Sequence, residues 1–133
     1  MKQYKPITPG RRQMTGYDFS DLAKTRPLKR LVQKLKRAAG RTNSGRMTSR
    51  HRGGGHKRLY RLVDFKQSKM DMPARVLAIE YDPYRTARIA LVVFPDGEKR
   101  YILSPDSLKT GQKVQFFSGR GSVESGNRLK LKF

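Results

Sequence analysis

The sequence has no cysteine, which removes disulfides and thiolate metal sites together and fits a reducing compartment. It also lacks any apolar run near the ~20 residues that a membrane helix requires. Its opening Met1-Lys2-Gln3-Tyr4-Lys5-Pro6 has no apolar stretch of the secretory kind, and Pro6, Pro9 and Gly10 spoil the amphipathic helix of a transit peptide. The most consequential shortage is of carboxylates. Ten Asp and Glu face 31 Lys and Arg, for a net charge of +21. Residues 22–63 contain no carboxylate at all, and these 42 residues carry fourteen Lys or Arg. Such a segment repels itself when free. It compacts against a dense polyanion, because each base that neutralises a phosphate releases condensed counterions.

A chain of 133 residues accommodates one compact domain plus an arm. Residues 1–62 hold 18 bases against 2 acids, whereas residues 63–133 hold 13 against 8. Only the second part has the balance of an ordinary globular domain. The first 26 residues, with Pro6, Pro9, Gly10 and Gly16, read as an extended tail. Leu28, Leu31, Val32, Leu35, Ala38 and Ala39 recur at helical spacing between Pro27 and Gly40, which predicts a short helix over 27–39. Residues 40–57 are too poor in large apolar side chains to bury a core. After them the pattern changes to period two and to β-formers. Strands are expected at Leu59 to Phe65, Ala74 to Tyr81, Ala87 to Phe94, Lys99 to Leu103, Lys113 to Phe117 and Arg128 to Phe133, with a hairpin turn at Pro95-Asp96-Gly97. Ile89, Leu91 and Val93 should share one face, Val92 and Phe94 the other, with Leu91 expected in the interior. The expected fold is mainly β: a small antiparallel five- to six-stranded barrel, OB-fold rather than SH3-like, over 59–133. A long basic, mostly irregular extension over 1–58 precedes it.

The sharpest local signal is Gly40-Arg41-Thr42-Asn43-Ser44-Gly45-Arg46, followed by Arg50-His51-Arg52-Gly53-Gly54-Gly55-His56-Lys57-Arg58. Glycines let a backbone approach a phosphate ribbon closely, and Arg forks donate paired hydrogen bonds to phosphate oxygens. A solvated linker is the ordinary explanation of a Gly-rich run, but this charge density without acids argues against it. Gly40 and Gly45 have the spacing of a nucleotide phosphate loop, yet Arg46-Met47 stand where Lys and a hydroxyl residue are needed. His51 and His56 without further ligands do not fill a zinc shell; stacking on bases or donation to phosphate suits them better. The acids from Asp64 to Glu124 are scattered along strands and turns, so neither a catalytic nor a metal site is expected. Tyr60 and Tyr84, flanked by Arg58, Arg61 and Arg85, are the aromatics best placed to stack on unpaired bases.

These residues carry a resemblance to a known family. Pro6-Ile7-Thr8-Pro9-Gly10-Arg11-Arg12, the two arm motifs above, Tyr60-Arg61-Leu62-Val63-Asp64-Phe65-Lys66, Glu80-Tyr81-Asp82-Pro83, Ile89-Ala90-Leu91-Val92 and Tyr101-Ile102-Leu103 resemble the universal large-subunit ribosomal protein two family, in its bacterial or organellar form. The resemblance implies a basic extension and an OB-type barrel that bind large-subunit rRNA, help fold it, support subunit association and lie near the peptidyl-transferase region. Carried over by position, Arg11, Arg12, the arm from Gly40 to Lys57, Tyr60, Arg61 and the Asp82-Pro83-Tyr84-Arg85 turn should lie on RNA. The family pattern continues into a second, SH3-like barrel that has no counterpart before Phe133, and the histidine associated with peptide-bond formation lies in that portion. No catalytic role passes to His51 or His56. A split gene, processing or a fragment would each account for the length. A split gene implies a separate chain carrying the C-terminal half and favours mitochondrial synthesis over a bacterial cytoplasm. An apolar end near Phe116, Phe117, Leu129, Leu131 and Phe133 should then await that partner.

The reading is a structural, non-enzymatic constituent of the large ribosomal subunit, without cofactor, membrane association or metal. Its partners are large-subunit rRNA and neighbouring ribosomal proteins. The alternative is a general single-stranded RNA-binding or RNA-chaperone module.

Overall fold

The computed structural model describes residues 1–131. It is mainly β, and among the described residues no α-helix forms. Two short pairs come first: β1 (Lys2–Gln3) with β2 (Thr15–Gly16), then β3 (Val32–Gln33) with β4 (Tyr60–Arg61), both antiparallel. The main sheet contains β5 (Pro73–Glu80), β6 (Ile89–Val93), β7 (Lys99–Leu103) and β8 (Lys113–Gln115), in the order β7-β6-β5-β8, all antiparallel.

The 93–99 turn behaves as its residues require. Gly97 takes φ 82°, and the Phe94 N–H donates to the Glu98 carbonyl at 2.9 Å, which sets β6 and β7 in register from Val93↔Lys99 to Ile89↔Leu103. A register shift between Val76 and Ala78 bulges β5 against β6. Such a bulge increases local twist and bends the strand. The concave side then buries Ala74, Val76, Ile79, Ala90, Val92, Phe94, Ile102, Val114 and Phe116, together with Leu22 and Leu108. Lys69 and Arg100 lie over the rim of this core, 5.0 and 5.9 Å from the Phe94 ring centre. Glu98 pairs with both, at 2.6 and 2.7 Å, while Arg100 also reaches Asp64 at 2.6 Å.

Four expectations change. The 27–39 helix is absent: Lys29–Leu31 form one 3-10 turn, and Val32–Gln33 leave it in extended conformation to pair with Tyr60–Arg61. Cross-strand backbone pairing outweighed a helical spacing that had only weak apolar residues to bury. The ladder also does not close into a barrel. The Leu59 to Phe65 stretch divides between β4 and a single parallel bridge, Val63 to Tyr101, and the Arg128 to Phe133 stretch contributes a single bridge, Phe116 to Arg128. Lys132 and Phe133 lie outside the described residues. Leu91 is only half-buried, because the fully buried residues of β6 are Ile89, Ala90 and Val92. Finally, Phe116 is not part of an open apolar end: it is a core residue against Phe94, at 6.4 Å between ring centres, whereas Leu131 is fully exposed.

The opposite face of the sheet holds Tyr101 and Ile89, both completely buried, and Glu80, which is nearly so. The burial assignments make a clear prediction. Val92→Asp places an unpaired charge in the core and should cost roughly 4 kcal/mol or more, whereas Leu91→Asp should cost about half as much. Urea melts of the two variants check this, and equal losses would contradict the assignment of the faces.

Candidate nucleic-acid interface

The arm is anchored at both ends through Tyr101. Its hydroxyl donates to Glu80 Oε2 at 2.9 Å and accepts the Leu28 N–H at 3.2 Å, while its backbone carbonyl accepts the Asp64 N–H at 2.8 Å. Leu28 and Asp64, which flank most of the basic stretch, thus meet on one buried residue, through its side chain and its backbone respectively. Burial pushes the Tyr101 phenol up to about 12, so it stays a donor at neutral pH. Burial likewise raises Glu80, against the opposing pull of the Tyr101 hydroxyl and the Arg61 charge. β3 and β4 then pair above this anchor, and the Leu62 N–H donates to the Leu31 carbonyl at 2.9 Å. Residues 34–59 therefore leave and re-enter the fold at adjacent points.

Within that loop the glycines have specific work. Gly40 sits at φ 74°, and a Cβ there would come 2.4 Å from the Ser49 carbonyl oxygen. Its own carbonyl accepts the Thr48 and Ser49 N–H groups at 2.9 and 3.1 Å. This closes a small hairpin bridged at Arg41 and Met47, with Asn43 at its tip and Arg46 on its returning side. The following Gly53-Gly54-Gly55 run takes positive φ throughout, at 125°, 70° and 76°. Three such residues in succession turn the chain with no side chain between backbone and surroundings.

The nominated residues fall into three groups. Arg41, Asn43, Arg46, Arg50, His51, Arg52, Gly53, Gly54, Gly55, His56, Lys57 and Arg58 are all exposed on the loop. A second cluster joins the loop's exit to the 82–85 turn. Arg58 Nη1 donates to the Pro83 carbonyl at 3.4 Å, Tyr60 and Tyr84 meet edge to face at 5.6 Å, and the Arg85 guanidinium lies 5.2 Å from the Tyr60 ring centre. Asp82 is fully buried, accepts the Tyr84 N–H at 2.9 Å and pairs with Arg85, so its carboxylate builds the turn. Arg61 is half-buried, and its Nε has no hydrogen-bond partner among the described residues. The third group stands apart: Arg11 and Arg12 belong to the β1–β2 hairpin, where Arg11 lies over the Tyr4 ring at 5.5 Å.

Sequence reasoning missed two contributors. Tyr4 holds the N-terminal hairpin's cations, with Lys2 5.7 Å and Arg11 5.5 Å from its ring centre. Arg37 approaches Gly55, its Nη1 4.0 Å from where a Cβ would stand. Arg37 lies within the 27–39 stretch expected to be helical, and that expectation gave no sign of its approach to the glycine run.

Ion pairs show where the acids are spent. Among the described residues, the bases in them are Lys69, Arg85, Arg88 and Arg100, and none of the fourteen bases of residues 22–63 takes part. No three His, Cys, Asp or Glu side chains of the described residues gather as a metal site would require. The loop offers closely spaced cations and backbone N–H groups, the donors that a phosphate backbone accepts.

The family described as the RNA-binding N-terminal domain of ribosomal proteins L2 matches residues 28–116. The chain belongs to the ribosomal protein L2 family. The matched segment starts at Leu28, one arm of the Tyr101 anchor, and ends at Phe116 in the core, so it takes in the whole loop and the main sheet. The L2 N-terminal domain is an OB-fold, and the four-stranded antiparallel sheet is its counterpart here. The matched domain is described as RNA-binding, and the basic loop lies wholly within it.

Because the loop's cations are exposed and do not support the core, Arg50→Ala and Lys57→Ala should each weaken RNA binding across sequences. Each should reduce the slope of log affinity against log salt by about 1. Filter binding over a salt series measures both, with urea melts expected to match those of the parent chain. Unchanged slopes would remove these residues from the interface.

Proposed function

We propose that the chain is a structural constituent of the large ribosomal subunit, in which the extension over 1–58 binds and stabilises folded large-subunit rRNA and the β-rich part over 59–133 seats it. The observation that carries this reading is the division of charge. The sheet consumes the protein's paired carboxylates, while the loop between β3 and β4 presents cations that have no protein counterion among the described residues.

In this reading Arg41, Arg46, Arg50, Arg52, Lys57 and Arg58 neutralise phosphates. The Gly53-Gly54-Gly55 turn lets backbone N–H groups approach the ribose-phosphate chain. Asn43 at the hairpin tip, His51 and His56 supply donors and stacking faces for local detail. Tyr60, Arg61, Tyr84 and Arg85 form the rigid shoulder on which the loop turns. Arg11 and Arg12 add a separate phosphate contact from the N-terminal hairpin. The role is one of binding and positioning, with neighbouring ribosomal proteins packed on the same RNA and no reaction catalysed.

If ~6 to 10 phosphate contacts form, affinity should fall by roughly 10³ to 10⁵ between 50 and 200 mM salt. The deciding experiment is sedimentation of cell extract in magnesium and moderate salt. The chain should travel with large ribosomal subunits; recovery solely in the free pool would overturn the proposal. Competition separates this from a general RNA chaperone: a folded rRNA fragment should outcompete unrelated single strands, and equal competition would favour the chaperone.

A further inference from the structure

Residues 17–23 precede the part matched to the L2 domain and dock on the sheet by their own anchors. Leu22 is a core residue, the Ala23 N–H donates to the Ile79 carbonyl at 2.9 Å, and Arg88 donates to the Asp18 carbonyl at 2.9 Å while lying 3.8 Å from Asp21. These contacts fix the segment but leave its aromatics outside. Tyr17 is 71% exposed and Phe19 52%, and Tyr81, at the end of β5, is 53% exposed.

The three rings form a row. Tyr17 and Phe19 are 6.5 Å apart between ring centres at 47°, and Phe19 and Tyr81 5.5 Å apart at 83°. At these angles the rings do not stack face to face, and their exposure shows that ring surface stays open to solvent. With Leu22, Arg85, Thr86 and Arg88, they line a small cavity. Nothing in the arm accounts for it. A contiguous exposed aromatic patch of this kind marks a contact surface.

We propose that Tyr17, Phe19 and Tyr81 form a stacking platform for an unpaired nucleobase of the bound RNA. The inference rests on the RNA-binding reading and extends it to a site outside the basic loop. Aromatic faces beside the Arg88 guanidinium, whose side chain stays 38% exposed, suit a nucleotide, whose base stacks and whose phosphates need cations, better than an apolar protein surface. Location agrees: Tyr81 is followed directly by the Asp82-Pro83-Tyr84-Arg85 turn, so the platform continues the shoulder at the loop's exit. Asp18 and Asp21 lie on the same segment, but Arg88 already opposes Asp21. The ribose-phosphate chain would therefore run along the Arg88 side, since the Arg85 guanidinium is held by Asp82 and Tyr60.

The test uses the full chain with a short single-stranded RNA carrying 2-aminopurine, whose fluorescence is quenched by stacking, and a blunt RNA duplex of equal charge. The parent chain should quench the label. Changing Tyr17→Leu together with Phe19→Leu should abolish the quench and weaken single-strand binding about tenfold or more, while duplex affinity and circular dichroism stay the same. Tyr17→Phe, which keeps the ring, should behave as the parent. Binding of the labelled strand without quenching, or an equal quench from the Leu variant, would overturn the platform and leave the RNA-binding reading intact. Failure of the parent chain to bind either RNA would sink that reading, and the platform with it. Unchanged RNA binding by the Leu variant, with loss of a co-purifying protein, would show a protein contact and also overturn the platform.

Discussion

Opposite charges are kept apart along this chain, and the rest of the structure depends on that separation. Carboxylates from Asp64 onward pair with Lys69, Arg85 and Arg100 around the sheet, where the ion pairs and the Asp82 turn fix strand ends and loops. Even Asp71 is satisfied within the protein, its carboxyl held below the usual range by the Ser118 hydroxyl and N–H. The loop between β3 and β4 has nothing comparable. Most of its hydrogen bonds among the described residues are short-range, such as Thr48 and Ser49 to the Gly40 carbonyl, with Arg58 to the Pro83 carbonyl a longer-range one at its exit, and exposed bonds of this kind open easily. Its self-repulsion is relieved only by an external polyanion.

The loop's geometry depends on a buried anchor. Tyr101 sits on the second face of the sheet, and its hydroxyl and carbonyl receive the chain at Leu28 and Asp64 on either side of the basic stretch. Fixing both ends lowers the entropy lost when the loop is ordered, because its closure is already made in the folded protein. The anchor thus links packing to function. The sheet thereby determines where the twelve cations between Leu28 and Asp64 emerge.

What was legible in the sequence follows the strength of each local signal. Period-two runs and the Pro95-Asp96-Gly97 turn gave β5 to β8 nearly to the residue, since strands covered on one or both faces need that pattern. The Gly- and Arg-rich motifs pointed to a phosphate-binding arm because charge is read directly from composition, and the L2 family match is in accord with that. Pairing between segments far apart in the chain was not legible. Val32 and Gln33 sit in a stretch with helical spacing, and nothing local shows that Tyr60 and Arg61 will pair with them. Closure failed for the same reason, since single bridges at Val63 and Arg128 look in sequence like whole strands. The Tyr17, Phe19 and Tyr81 row was hidden because Tyr81 lies more than sixty residues from the other two.

In the proposed role the loop acquires a fixed shape by sinking into RNA phosphates, while the sheet and the Tyr101 anchor are fixed beforehand. Amide hydrogen exchange on the full chain, free and bound to large-subunit rRNA, tests it most directly. Amides of residues 40–58 should exchange at nearly free-chain rates without RNA and be strongly slowed with it, while those of β5 to β7 and of Leu62 and Asp64 should be protected in both. Strong protection of residues 40–58 in the RNA-free protein, or none in the complex, would contradict it.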